Sequence, residues 1–298
     1  MVRFFARDST PRVSDIADSV QTLAVLLQAG AVPLVAWRHL ASTGDEVAAA
    51  VLTRTDDGLP LVAAIEAQGG MWVELAAAWE IAATVGAPLA DVLRTIAEAL
   101  RDAASAADDV RVALAEPAGT ARLLLWMPLV GLLLGFALGF DTLGVMVANP
   151  IGTACVLAGL LLVVAARMWT RRLLRRAGPE PGTPGMAAEL VAVALAGGAP
   201  IDRAVRLAAE TRVVDPLGKE RVGEVLELSR AAGVPAIELL RAAAAQDRHR
   251  ARVAGRLRAA RLSTRLLLPL GICTLPAFLL LGVAPLLLSV LVTTPLPT

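Results

Sequence analysis

Tyrosine is absent from the 298-residue sequence, aromatic residues amount to 3% and charged residues to 18%. Ordinary globular chains carry about 25% charge. Cysteine is limited to Cys155 and Cys273, both inside long apolar runs. That excludes a disulfide-rich secreted scaffold and marks each as a small buried hydrophobe. Histidine is limited to His39 and His249, and no His/Cys cluster has metal-ligand spacing. No glycine-rich phosphate loop, dinucleotide fingerprint or kinase signature occurs; Gly197-Gly198-Ala199-Pro200 is a helix break. ATP hydrolysis by this chain is therefore not expected, and neither a catalytic site, a bound cofactor nor a metal site is predicted. Asp56-Asp57 and Asp108-Asp109 fit solvated faces, and Ser263 and Thr264 are explained by helix capping. What the chain does have is apolar content, 56%, with a mean hydropathy of +0.65. This excludes disorder and favours few soluble domains joined to membrane segments.

Three stretches lack charge over the roughly 17 to 25 residues that a membrane helix needs. They are Leu123 to Phe140, the run after Thr142 that ends at Arg167, and the run from Leu266 onward. Asn149-Pro150 reads as a turn, so the second span is expected to start near Pro150 and occupy about 150–166. The third is expected over 266–292, with kinks at Pro269, Pro276 and Pro285. No ionisable residue lies within these spans, which argues against a pump or transporter.

The opening MVRFFARDST is followed by no apolar core of a signal peptide, so the N-terminus is expected in the cytoplasm. Arg167, Arg171, Arg172, Arg175 and Arg176 flank the second span, and Arg248 to Arg265 precede the third. The positive-inside rule then puts both long polar regions inside, Asp141 to Asn149 outside and the C-terminus outside. For Arg248 to Arg265, attraction to anionic lipid heads is a simpler reading than nucleic-acid binding. Charge is also divided along the chain: residues 1–118 carry −8 and residues 167–265 carry +9. Opposite halves suggest domains that meet each other, or a basic excess that only orients the chain in the membrane.

The polar regions contain little period-2 alternation and are rich in good helix formers. Glycine followed by proline closes one helix and opens the next, predicting antiparallel helical hairpins. This punctuation occurs twice. Gly86-Ala87-Pro88-Leu89-Ala90-Asp91-Val92-Leu93-Arg94 aligns without a gap on Gly233-Val234-Pro235-Ala236-Ile237-Glu238-Leu239-Leu240-Arg241, at an offset of 147, with Glu80 on Glu227. Ala36-Trp37-Arg38 is echoed by Ala204-Val205-Arg206, and Arg122-Leu-Leu-Leu by Arg265-Leu-Leu-Leu. Each helical unit thus feeds a membrane helix with an early proline, Pro128 or Pro269. Asp91/Arg94 and Glu238/Arg241 are expected as equivalent structural pairs. Pro33 to Pro88 spans 55 residues against 35 for Pro200 to Pro235, so the first copy has extra chain within Ser42 to Met71. Trp37, Trp72 and Trp79 lie in this larger copy, as its core or, alternatively, as a peptide groove.

The resulting expectation is an all-α integral membrane protein with two homologous cytoplasmic helical bundles and three transmembrane helices. Residues 1–118 form an acidic first bundle and 121–168 a transmembrane hairpin, with spans at about 123–140 and 150–166. A basic second bundle covers 169–262 with a linker at 177–185, and 266–292 is the last transmembrane helix. The paired Gly-x-Pro blocks at Gly86 and Gly233, with the Leu-Pro-Leu and Met-Pro-Leu openings at Pro269 and Pro128, resemble the type II secretion system F family. These are inner-membrane platform proteins of type II secretion and type IV pilus systems, including the Tad/Flp branch. The resemblance implies a non-enzymatic platform or scaffold that couples a hexameric secretion ATPase to extraction and polymerisation of pilin or pseudopilin subunits. It also implies a multi-pass protein of the inner membrane, in contact with lipids and assembled as a homo-oligomer or with paralogues. Two alternatives stand beside it: a membrane-anchored regulatory or interaction protein with partner-binding helical domains, and a small permease subunit.

Overall fold

The computed structural model describes residues 13–137, 150–177 and 182–284. The expected N-terminal start, the outside turn Asp141 to Asn149, Pro285 and the end of the third span lie outside the described residues. Among the described residues there is no strand; every regular element is helical.

The first copy builds α1 (Val13–Gln28), α2 (Pro33–Ser42), α3 (Glu46–Asp56), α4 (Leu61–Glu66), α5 (Trp72–Val85) and the 49-residue α6 (Leu89–Ala137). After α7 (Pro150–Ala177), the second copy builds α8 (Met186–Ala196), α9 (Ile201–Glu210), α10 (Pro216–Ala232) and α11 (Ala236–Pro269). Local chemistry sets these boundaries. Pro33 and Pro216 open α2 and α10 at positions where the missing amide hydrogen costs nothing. Asp45 and Asp215 cap α3 and α10 by accepting from the Ala48 and Gly218 amides, each at 2.8 Å.

The repeat read from the sequence is present as geometry. Gly86 and Gly233 end α5 and α10 with φ of 75° and 67°, and their amides donate to the Ala82 and Ser229 carbonyls. These acceptors are equivalent residues of the two copies. Only glycine adopts that left-handed cap without a Cβ penalty. Likewise, Gly30 donates to Leu27 and Ala31 to Leu26 in the first copy, while Gly198 donates to Leu195 and Ala199 to Ala194 in the second. Both expected ion pairs form, Arg94 with Asp91 at 3.4 Å and Arg241 with Glu238 at 3.9 Å. The extra chain of the first copy, expected within Ser42 to Met71, is α3, a tight turn at Gly58 and α4.

The chain divides into two compact units, Met1–Asp108 with Glu180–Val253, and Asp109–Pro179 with Ala254–Thr298. In the first unit, helices of both copies share one apolar core, which includes Leu23, Trp37, Ile65, Leu75, Leu93 and Ile96 from the first and Leu190, Val222 and Leu240 from the second. The two bundles expected over 1–118 and 169–262 thus supply one packed body. Trp37, Trp72 and Trp79 are all buried in it, with the Trp37 and Trp72 ring centroids 6.0 Å apart.

The second unit contains the rest of α6 and α11, together with α7. It also contains two π-helical turns, Leu270–Thr274 and Leu279–Val283, on either side of α12 (Leu275–Phe278). The π turns lie beside Pro269 and Pro276, where the ladder has lost an amide donor. α7 packs against both π turns and α12. A Cβ on Gly159 would meet the Leu281 side chain at 2.6 Å, so glycine lets these segments approach closely. Cys273 is buried and Cys155 is half-buried. One helical stretch among the described residues is long and apolar enough to cross a membrane, Thr153–Leu173, with a mean hydropathy of 1.8. It overlaps the span expected over about 150–166 and continues past Ala166 through Arg167, Arg171 and Arg172. On the surface of this unit lie Leu157, Leu160, Leu161, Val164, Leu268 and Ile272, with Leu161 69% exposed.

Candidate functional site

Charge inside the first unit is concentrated where the two copies meet. Glu189 sits in α8, an otherwise apolar helix, and its side chain is only 3% exposed. It accepts from Arg248 of α11 at 3.0 Å, and Arg248 reaches Asp102 of α6 at 3.2 Å. Arg252, one turn on, approaches the same Asp102 carboxylate at 3.5 Å. Two arginines of the second copy are thereby held by one carboxylate of each copy. The Arg248–Glu189 pair is largely desolvated, with Arg248 13% exposed, so losing either partner would be expensive, whereas Asp102 is 51% exposed and holds its arginines at the surface. Burial nevertheless pushes the Glu189 carboxyl above its ordinary range, and Arg248 opposes the shift without cancelling it.

A second carboxylate lies at the contact between α5 and the chain entering α8. Glu74 is buried in α5 and accepts from the Thr183 amide at 2.8 Å. Among the described residues its Oε2 atom has no hydrogen-bond partner. Desolvation raises its pKa and the Thr183 contacts oppose that rise. Backbones also approach closely here. A Cβ on Gly185 would lie 2.7 Å from the Ala244 backbone, and one on Gly197 would collide with Val85.

The second unit repeats the charge pattern on its own stretch of the same two helices. Arg256 of α11 donates to Asp109 of α6 at 2.8 Å. Arg248, Arg252 and Arg256 therefore bind carboxylates of this chain, which corrects their assignment to lipid heads. Asp109 likewise leaves the set of solvated acids. Arg250 pairs with Asp247 at 3.6 Å, and Arg261 and Arg265 remain exposed. His39, His249, Asp56 and Asp57 are exposed and Asp108 lies on the surface. Among the described residues no group of three or more His, Cys, Asp or Glu side chains could hold a metal ion.

Glu74 and Glu189 were not singled out from the sequence. The available signal was an isolated acid inside an apolar helix: Trp72-Val73-Glu74-Leu75 and Ala188-Glu189-Leu190. What such an arrangement can do is mechanical. It locks two homologous helical sets together through a buried polar seam.

No curated protein matches the chain. The family model described as type II secretion system (T2SS), protein F matches residues 19–137, from within α1 to the end of α6. That family comprises structural, membrane-associated platform proteins of secretion and pilus systems. The chain therefore contains, over residues 19–137, a domain of the type II secretion system protein F family.

Proposed function

We propose that this chain is an inner-membrane platform of a type II secretion or type IV, Tad/Flp-like pilus assembly system. In this reading it couples a hexameric cytoplasmic ATPase to extraction and polymerisation of pilin subunits, and it needs no catalytic group of its own. The protein F domain over residues 19–137 is the observation that carries the proposal. The second copy, folded with the same caps and hairpins, acts as a second domain of that kind.

The proposed topology has three spans, at about 123–140, 150–166 and 266–292, with the N-terminus and both helical copies in the cytoplasm and the C-terminus outside. Exposed Leu157, Leu160, Leu161 and Ile272 support membrane burial of this part, because contiguous apolar surface of that kind is rare on soluble monomers. Force from a motor would pass along α6, a 49-residue helix that belongs in part to each unit.

Affinity isolation of the tagged, detergent-solubilised chain from its own membranes tests the reading. The hexameric secretion ATPase and prepilin-like subunits are expected to be retained. Intact pilus assembly or secretion after deletion of the chain, or isolation with a nucleotide-binding exporter subunit instead, would overturn it.

A further inference from the structure

Within the second unit, residues 150–179 hold five arginines and no acid, and residues 254–298 hold four arginines and no acid. Arg256 takes its counter-charge from Asp109 of α6. Arg172, Arg261 and Arg265 are exposed, and among the described residues none of the three is in an ion pair. A counter-charge for them has to come from another molecule.

Exposed apolar side chains stand in a fixed order with these cations. Arg261, Arg265, Leu268 and Ile272 recur at spacings of 4, 3 and 4, which keeps them on one helical face, and all four are exposed. That face changes from two cations to bare hydrocarbon within a single turn. On α7, exposed Leu161, Val164 and Met168 lead at similar spacings to Arg172. The two boundaries share a height. Gly159 of α7 lies against Leu281, and Arg172 and Arg265 are each roughly 20–24 Å along their helices from that contact. In the antiparallel arrangement of the proposed topology, both cations reach one level. Trp169, next to Met168, is 40% exposed, and indole rings collect at the headgroup level of a membrane.

A second copy does not suit this face. Two chains in one membrane share an orientation, so a twofold contact along it would set Arg261 against Arg261 and Arg265 against Arg265. An anionic amphiphile has the complementary order, a negative group joined to hydrocarbon. We infer that the face from Arg261 of α11 to Ile272 of the following π turn binds an anionic phospholipid of the cytoplasmic leaflet. Arg261 and Arg265 take its phosphate through charge-assisted hydrogen bonds, and an acyl chain lies along Leu268 and Ile272. This rests on the membrane insertion proposed above, and on no ATPase or pilin.

The test is native mass spectrometry of the full chain in neutral detergent, titrated with dioleoyl phosphatidylglycerol or, separately, with dioleoyl phosphatidylcholine. The glycerol lipid is expected to stay bound and the zwitterionic lipid to dissociate. Arg261→Gln with Arg265→Gln should lower retention roughly tenfold or more, whereas Arg261→Lys with Arg265→Lys should keep it. Arg203→Gln with Arg206→Gln removes two exposed arginines from the first unit and should change nothing. All these variants should melt with wild type when no lipid is added, because the altered side chains are exposed. Equal retention of both lipids, or an equal loss from the Arg203 and Arg206 pair, would overturn the inference. Displacement of the lipid by inorganic phosphate would overturn it by giving the site to the free ion. A co-purifying protein lost from the Arg261 and Arg265 glutamine variant, with lipid retention unchanged, would give the face to that protein instead. Failure of the wild-type chain to float with vesicles of phosphatidylcholine alone would overturn the membrane reading itself.

Discussion

At the scale of single residues, Glu74 has the clearest consequence. Its carboxyl is held above the ordinary range by burial, so the folded state binds the proton more tightly than the unfolded chain does. The stabilisation from protonation is complete below the unfolded pKa and is lost as pH rises through the raised folded value. Above that window the charged carboxylate opposes folding. Glu189 contributes with the same sign. Glu74→Gln keeps an oxygen to accept from Thr183 and removes the charge. Thermal melts of the full chain should then coincide with wild type at acid pH and lie above it at neutral pH, the gap opening upward from the ordinary carboxylate range. Identical wild-type and variant profiles would contradict this account. The same residue shows why part of the site was hidden in the sequence. Composition treats Glu74 as one of sixteen acids in residues 1–118, and only three-dimensional packing against Thr183 distinguishes it from exposed Glu80.

At the scale of elements, close approach sets the fit of α8 against α11. A Cβ on Gly185 would enter the Ala244 backbone, which cannot yield as a flexible side chain can. Gly185→Ala is therefore expected to destabilise the first unit by about 3 kcal/mol, within the range of overpacked cores, as read by urea denaturation. Gly198→Ala makes a useful comparison, because its Cβ would meet nothing within 4 Å and only the backbone penalty of roughly 1 kcal/mol applies. Element identity was largely legible beforehand. Gly86-Ala87-Pro88 and Gly233-Val234-Pro235 announced caps and helix starts through chemistry that acts over a few residues. In the extra chain of the first copy, Asp57 and Gly58 signal the turn that is found, but they do not show that helices stand on both sides of it. The position of π turns beside Pro269 and Pro276 depends on neighbouring packing, to which a sequence pattern is blind.

For the molecule as a whole, the decisive feature is the shared core of the two copies. Leu190 is fully buried among residues of both. Leu190→Ala should cost about 2–5 kcal/mol. Because α5 and α8 belong to one packed body, amide exchange should speed up in α5 and α1 of the first copy as well as in α8 and α9. Acceleration confined to the second copy would mean two independently stable bundles. The sequence predicted the duplication but not its union, because two similar modules read the same whether they pack together or stand apart. The charge split, −8 against +9, was the one hint of contact, and Arg248 with Asp102 is part of what it expressed.

The bond between Asp109 and Arg256 joins α6 of the first copy to α11 of the second. An acid on one copy and a base on the other give the contact a direction: exchanging the two residues would keep the attraction, whereas making them alike would turn it into a repulsion.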